Sequence, residues 1–210
     1  MAIRVGLYGG TFDPIHVGHL IAARAARERL GLDRLIVIPS AHPPHKPVAD
    51  LTDASHRVAM AKLAVEGESD FEVSDCEVRR TGPSYTIDTV GEFRRRFGPE
   101  ADLIWLIGAD TLGELAGWHR LEDLVEACRI VTLARPGWES PDVEPLRSRL
   151  SAAQIDRLCN DRIDTPRIDV SATDIRRRLA EGKSVRWFVP EAVRQYIVGE
   201  GLYAADPNDL

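Results

Sequence analysis

Tyr8–Leu20 reads YGGTFDPIHVGHL. Three glycines, a threonine, an aspartate, a proline and two histidines stand here between an apolar run and an alanine-rich stretch. On the N-terminal side, IRVGLY (Ile3–Tyr8) is short and apolar, the pattern of a strand buried on both faces. On the C-terminal side, VGHLIAARAARERL (Val17–Leu30) sets Leu20, Ala23 and Leu30 among arginines, as an amphipathic helix does. The stretch is therefore a strand-to-helix turn. Gly9 and Gly10 let the backbone bend sharply and let a ligand come close. The helix that follows offers free N–H groups and a dipole that attract an anion. His16 and His19, three residues apart, share a face at that helix start. Together these point to phosphate chemistry. The turn is not GxGxxG, and no GK[ST] follows it. A purely structural turn, or a metal site built from Asp13, His16 and His19, are the other readings these residues allow.

Outward from this turn the chain alternates strands and helices. RLIVIP (Arg34–Pro39) reads as a second strand stopped by its proline, and a helix follows from Thr52 or Asp53 to Gly67. FEVSDCEV (Phe71–Val78) alternates as a strand does. SYTIDTVGEFRRRF is a helix, DLIWLIG and RIVTLARPG are strands, and Trp138–Pro166 holds a helix and loops. RIDV (Arg167–Val170) with TDIRRRLAEG makes one more strand–helix step, and PEAVRQYIVGEGLY closes the chain as a helix. This order predicts an α/β fold with a parallel sheet and helices on both faces. Residues 1–210 are expected to form one domain, with a C-terminal helical part at about 166–205. Ligands of such folds bind at the carboxyl ends of the strands, near the point where strand order reverses.

The composition narrows the function. Among 210 residues, 44% are hydrophobic and 29% charged, the balance of a globular protein with its own core. The net charge of -6 argues against nucleic acid as a partner, because a broad basic surface is what displaces counterions. No apolar run approaches the length of a membrane span, and no leader precedes the first strand, so a cytoplasmic protein is expected. Cys76, Cys128 and Cys159 are scattered without a CxxC pair, which fits a reducing compartment.

A second phosphate element lies near the C-terminus. In RIDVSATDIRRRL, Ser171 and Asp174 fit an N-cap and capping box, and Arg176 falls in the first turns, where a docked anion would offset its charge. Arg176, Arg177 and Arg178 project about 100° apart, so one or two at most can face a site; Arg177 and Arg178 are expected in solvent. His42, His45 and Lys46 lie in the loop after the second strand, at the same sheet edge as the glycine turn, and Lys46 can reach a phosphate. A flat ring needs an apolar platform with a few placed polar groups. Ser84, Tyr85 and Thr86 open a helix whose backbone N–H groups can hold a carboxylate. Trp118 and His119 follow in a loop facing a cleft, whereas Trp105, inside a strand, is expected in the core.

GGTFDPIHVGHL resembles the GGTFDPxHxGH signature of the HxGH nucleotidyltransferase superfamily. PSAHPPHK, SYTIDT, IGADTL, WHRLEDL, SATDIR and YIVGEGLY, in that order, resemble bacterial nicotinate-nucleotide adenylyltransferase over nearly the whole chain. The resemblance implies a Rossmann-like, doubly wound fold. It implies adenylyl transfer from ATP to nicotinate mononucleotide, giving deamido-NAD and pyrophosphate in NAD biosynthesis, with Mg²⁺ carried by the ATP phosphates and no metal held by protein ligands alone. Catalytic roles would fall to His16, His19, Lys46 and Arg176. ATP would lie on Gly9, Gly10, Thr11, Phe12, His16, His19, Gly108, Asp110, Ser171, Thr173, Ile175 and Arg176. Nicotinate mononucleotide would lie on Ser84, Tyr85, Thr86, Asp110, Trp118 and His119, with Trp118 stacked on the ring. The chain departs from the pattern at Ala172, where many relatives carry serine, and at Leu121, where an aromatic is common. Three rivals stand beside this reading: a pantetheine-phosphate adenylyltransferase or cytidylyltransferase on the same fold, a non-catalytic nucleotide-sensing regulator, and a metal-dependent hydrolase using Asp13, His16 and His19. The oligomeric state, a homo-oligomer included, is left open.

Overall fold

The computed structural model describes residues 2–43, 51–134 and 142–204. Among these residues six strands form one sheet: β1 (Arg4–Gly10), β2 (Arg34–Pro39), β3 (Phe71–Val73), β4 (Asp102–Gly108), β5 (Arg129–Ala134) and β6 (Arg162–Asp164). Every pairing is parallel and the order is β3-β2-β1-β4-β5-β6. The central strands read as unbroken apolar runs because both of their faces are covered. Alternate side chains go to opposite sides. Leu103, Trp105 and Ile107 of β4 join one apolar cluster, and Ile104 and Leu106 join the other.

The helices divide accordingly. Four of them, α1 (Val17–Leu30), α2 (Ala54–Ala64), α7 (Ala172–Ala180) and α8 (Glu191–Gly199), contribute Ala26, Met60, Ile175 and Val193 to one cluster. On the other face, α4 (Thr86–Phe97), α5 (Leu121–Ala127) and α6 (Ala152–Asn160) contribute Phe93, Leu124 and Leu158. The short α3 (Cys76–Arg79) sits between β3 and α4. The side of α1 that packs on the sheet is alanine (Ala23, Ala25, Ala26), which lets the helix lie close to β1. No helix among the described residues is long and apolar enough to cross a membrane.

Two expected elements move. The strand expected over Phe71–Val78 ends at Val73. There the Ser74 hydroxyl oxygen accepts the Cys76 N–H at 3.3 Å and turns the chain into α3. The strand expected at Arg167–Val170 is instead the earlier Arg162–Asp164, which pairs with Thr132, Leu133 and Ala134. Both the Thr165 N–H and its hydroxyl donate to Ala134 O, at 2.8 and 3.0 Å, and close that ladder. Pro166 has no N–H with which to extend it. Residues 167–170 carry no regular structure and run along the carboxyl edge of the sheet towards α7.

Candidate active site

Strand order reverses at β1, with β2 on one side and β4 on the other, so a crevice opens above their carboxyl ends. It is divided into two clefts. The first, of about 420 Å³, is bounded by Gly9, Gly10, Thr11, Ser84, Tyr85, Thr86, Trp118 and His119. The second, of about 470 Å³, is bounded by His16, Gly18, His19, Asp110, Thr165 and Ser171. Gly108, at the end of β4, lines both.

The opening turn builds the wall between the clefts. Phe12 takes a left-handed φ of 49° and the Asp13–Pro14 bond is cis. His16 is the N-cap of α1 and is 4% exposed. Its ring stacks on that of His19 with centroids 3.7 Å apart. The His16 backbone N–H donates to His19 Nδ1 at 3.3 Å, so the proton of a neutral His19 sits on Nε2. Gly18 leaves room for the His16 ring: a Cβ there would stand 3.0 Å from His16 Cε1 and Nδ1.

Buried charges hold this turn in place. Arg57 of α2 is 1% exposed, and its guanidinium donates to Thr11 O at 2.7 Å, Ser40 O at 2.6 Å and Thr52 O at 2.8 Å. Burial lowers its pKa, with Asp13 opposing, yet an arginine keeps its proton. Asp13 is 2% exposed; its carboxylate accepts from the Tyr203 hydroxyl at 2.6 Å and from Thr52 N–H at 3.3 Å. Burial, and then the bond to Asp13, raise the Tyr203 pKa. Arg176 donates to Asp13 O at 2.7 Å, which joins the two phosphate elements directly. The Asp13 carboxylate is thus committed to structure, and no metal-binding group of three His, Cys, Asp or Glu occurs among the described residues. Among the described residues, Asp110 is the one carboxylate lining the second cleft. These residues suit a divalent ion that arrives on phosphates rather than one caged by protein.

At the other cleft, Ser84 ties the loop after β2 to α4. Its Oγ accepts from Ala41 N–H at 3.2 Å and His42 N–H at 3.1 Å, and its N–H donates to His42 O at 3.0 Å. The Ser84 N–H is engaged by His42 O and the Tyr85 N–H by Pro83 O, each at 3.0 Å, so of the three residues expected to offer amides to a carboxylate, Thr86 is the one at the helix start. The Tyr85 and His119 rings stack at 4.1 Å. Trp118, half-buried, leans on the core, and Leu121, where an aromatic was the common residue, is fully buried at the start of α5.

The remaining expected residues distribute as follows. Gly9, Gly10 and Thr11, expected on ATP, border the cleft of Trp118 and not that of the histidines. Phe12 is 2% and Ile175 0% exposed, so both side chains are core; the Ile175 N–H is used by Ser171 O at 3.1 Å. Ser171 caps α7 by accepting from Asp174 N–H at 3.1 Å. The capping box is incomplete, because the Asp174 carboxylate turns to Arg177 at 2.6 Å. Thr173 is exposed and accepts from Arg176 at 3.4 Å. Arg177 is solvent-facing, as expected. Arg178 is not: it donates to Ser184 O and lies over the Phe188 ring at 4.8 Å. Lys46 and His45 lie outside the described residues.

Sequence reasoning missed several residues. Trp105 is core, as expected, but its indole also floors the first cleft, and any Cβ at Gly9 would overlap it. Arg57 carried a signal: with Ala61 four residues on, it falls on the apolar face of α2. Glu77, 4% exposed on the first cleft's wall, carried none, because it lay in a segment read as a strand.

A doubly wound parallel sheet whose glycine turn, histidine pair and second helix N-terminus gather at the switch point defines a nucleotide-binding α/β protein. The chain belongs to the cytidylyltransferase-like family, which matches residues 7–178. It is 43% identical over 200 residues to a Moorella thermoacetica protein named "Probable nicotinate-nucleotide adenylyltransferase", covering 95% of this chain and 91% of that one. A Pseudomonas fluorescens protein of the same name is 44% identical over 217 residues, covering 99% and 100%. Among solved structures, Plasmodium falciparum nicotinic acid mononucleotide adenylyltransferase complexed with NaAD is similar with a TM-score of 0.74 at 16% identity, over 96% of this chain and 97% of that one. The same enzyme complexed with APC gives 0.72.

Proposed function

We propose that the protein transfers the adenylyl group of ATP to nicotinate mononucleotide, forming nicotinate adenine dinucleotide and pyrophosphate. One observation carries the reading: the histidine cleft and the tryptophan cleft meet at Gly108, as two nucleotides that must be joined through their phosphates require. ATP takes the histidine cleft and the pyridine nucleotide takes the other. A 5′-phosphate oxygen of the acceptor attacks the α-phosphorus of ATP, the bond from that phosphorus to the bridging oxygen breaks, and pyrophosphate leaves with the electron pair. The attacking oxygen is already anionic, so no general base is needed, and catalysis is alignment with charge neutralisation.

His16 and His19 hold the α-phosphate at the α1 start, with His19 donating from Nε2. Arg176 and Lys46 offset charge on the leaving pyrophosphate. Mg²⁺ carried by the ATP phosphates supplies further neutralisation. Trp118 and Tyr85 flank the pyridine ring, and the Thr86 N–H meets its carboxylate. The relatives' names and the aromatic first cleft favour this acceptor over phosphopantetheine, which has no ring to stack.

The test is pyrophosphate release with Mg²⁺-ATP and nicotinate mononucleotide, nicotinamide mononucleotide or phosphopantetheine. Strong preference for the first is expected. Release only with phosphopantetheine, or with none, overturns the assignment.

A further inference from the structure

One ionisable side chain on the acceptor cleft has no part in the mechanism above. Glu77 is 4% exposed and sits on the cleft wall beside Ser84, Tyr85 and Thr86. Its Oε1 accepts the Thr89 hydroxyl at 2.7 Å, and the Ser84 hydroxyl also donates to it. Both donors belong to the opening of α4, so the carboxyl group is pinned behind the first turn of that helix. Among the described residues no cation forms an ion pair with it. The nearby Arg80 is taken by Thr89 at 3.1 Å and Glu92 at 3.0 Å, and Arg57 by its three carbonyls. The cleft therefore contains its own buried acid, at the helix start where an acceptor's ring substituent would dock.

We propose that Glu77 is a specificity-determining residue of the acceptor cleft, whose negative charge penalises an anionic ring substituent relative to a neutral one. The inference rests on the pyridine-nucleotide reading. A ring carboxylate at the α4 start meets the favourable helix dipole and, behind the same turn, a like charge. A ring carboxamide gains less from the dipole but meets no repulsion. The preference for nicotinate is then the difference of these terms, and Glu77 holds it below what the helix start alone would give. Burial, opposed by the bonds from Thr89 and Ser84 and by the charges of Arg80 and Arg57, raises the Glu77 pKa above that of an ordinary carboxyl, and the repulsion acts when the group is ionised.

The experiment compares wild type, Glu77→Gln and Glu77→Met by kcat/KM for nicotinate and nicotinamide mononucleotide, with folding checked by thermal melting. Both acceptors carry the same phosphate, so their ratio isolates the ring substituent. A lost unit charge at this depth should raise the nicotinate-to-nicotinamide ratio on the order of five- to tenfold in each neutral variant. Glu77→Asp, which keeps the charge, should leave the ratio within about twofold of wild type. A folded neutral variant that loses rate on both acceptors equally, or whose ratio falls, overturns the proposal. So does failure of both neutral variants to fold, since Glu77 is then a strut for α4. A wild type that uses neither pyridine nucleotide overturns instead the reading on which this rests, whatever the variants do.

Discussion

Replacing Gly18 with alanine should separate stability from catalysis. Gly18 is the second residue of α1, and it has neither a positive φ nor a φ that glycine alone can adopt. Alanine in a helix is favoured over glycine by roughly 0.5–1 kcal/mol. Against this, the new Cβ would stand 3.0 Å from two atoms of the His16 ring, where ordinary contact begins at 3.4 Å. The ring must then move by 3.4 − 3.0 = 0.4 Å, and Ile168 Cγ2, at 3.7 Å, needs no adjustment. His16 is nearly buried and stacked on His19, so the displacement passes to the ring proposed to face the α-phosphate. Misplacing a catalytic group by about 1 Å costs on the order of a hundredfold, so 0.4 Å should cost roughly five- to tenfold in kcat. The expected variant unfolds at a temperature equal to or above that of wild type and turns over several times more slowly. Thermal melts and steady-state pyrophosphate release measure the two quantities on one preparation. Full kcat in a variant that is no less stable would show that the position of the His16 ring does not matter to the reaction. The catalytic assignment of the pair would then fail.

Other perturbations test the scaffold beneath the site. Arg57→Met strands the carbonyls of Thr11, Ser40 and Thr52, and should lower unfolding free energy by about 3–5 kcal/mol in urea titration; a cost below about 1 kcal/mol would mean water takes over those carbonyls. Arg57→Lys keeps the charge but not the fork, and should fall between Met and wild type. Tyr203→Phe removes the 2.6 Å bond to Asp13 and should cost about 1–3 kcal/mol near neutral pH. Because the folded Tyr203 pKa is raised above its ordinary 10.0, the unfolded chain loses this proton first as pH climbs. Wild type should therefore shed about 1.4 kcal/mol per pH unit above pH 10 from this group, a slope absent in the variant. Burial pushes the Cys128 thiol to about 12 and also raises that of Cys76, while Cys159 is only half-buried. A thiol reagent at neutral pH should thus label one cysteine in the folded protein and all three in urea, counted by intact mass.

The parts of this molecule that sequence reveals are those set by local pattern. Apolar runs ended by Gly10 or Pro39 become central strands because both faces of the sheet are covered. The histidines mark a helix start because capping is decided within a turn. What eludes sequence is whatever depends on a partner far along the chain. Arg162–Asp164 and Arg167–Asp169 repeat the same tripeptide, and only the register with β5 selects the first as the strand. Alternation in FEVSDCEV suggests one strand, yet the Ser74 turn splits it and places Glu77 on the cleft wall. Gly9, Gly10 and Thr11 read as part of an ATP cradle; the structure sets them on the Trp118 cleft, with Gly9 against Trp105, a side chain nearly a hundred residues away on the neighbouring strand.

The buried polar groups share a logic that the proposed chemistry makes understandable. A reaction whose nucleophile is already charged asks little of a general base and much of geometry. Accordingly the most deeply buried ionisable groups around the clefts do not point at a reacting atom; they hold backbone. Arg57 grips the turn after β1 and the loop after β2 from beneath, and both of those segments line the acceptor cleft. Asp13 is bound by Tyr203 from the C-terminal end and by Arg176 from α7, so the opening turn is held by residues 190 and 163 positions away. The chain's last described residues are therefore part of the apparatus that positions its first motif. One guanidinium nitrogen of Arg176 holds Asp13 O, while the other lies near Thr173 on the exposed side of α7. If Arg176 neutralises the leaving group as proposed, the same side chain also fixes the histidine turn, and a substitution at 176 should disturb both together.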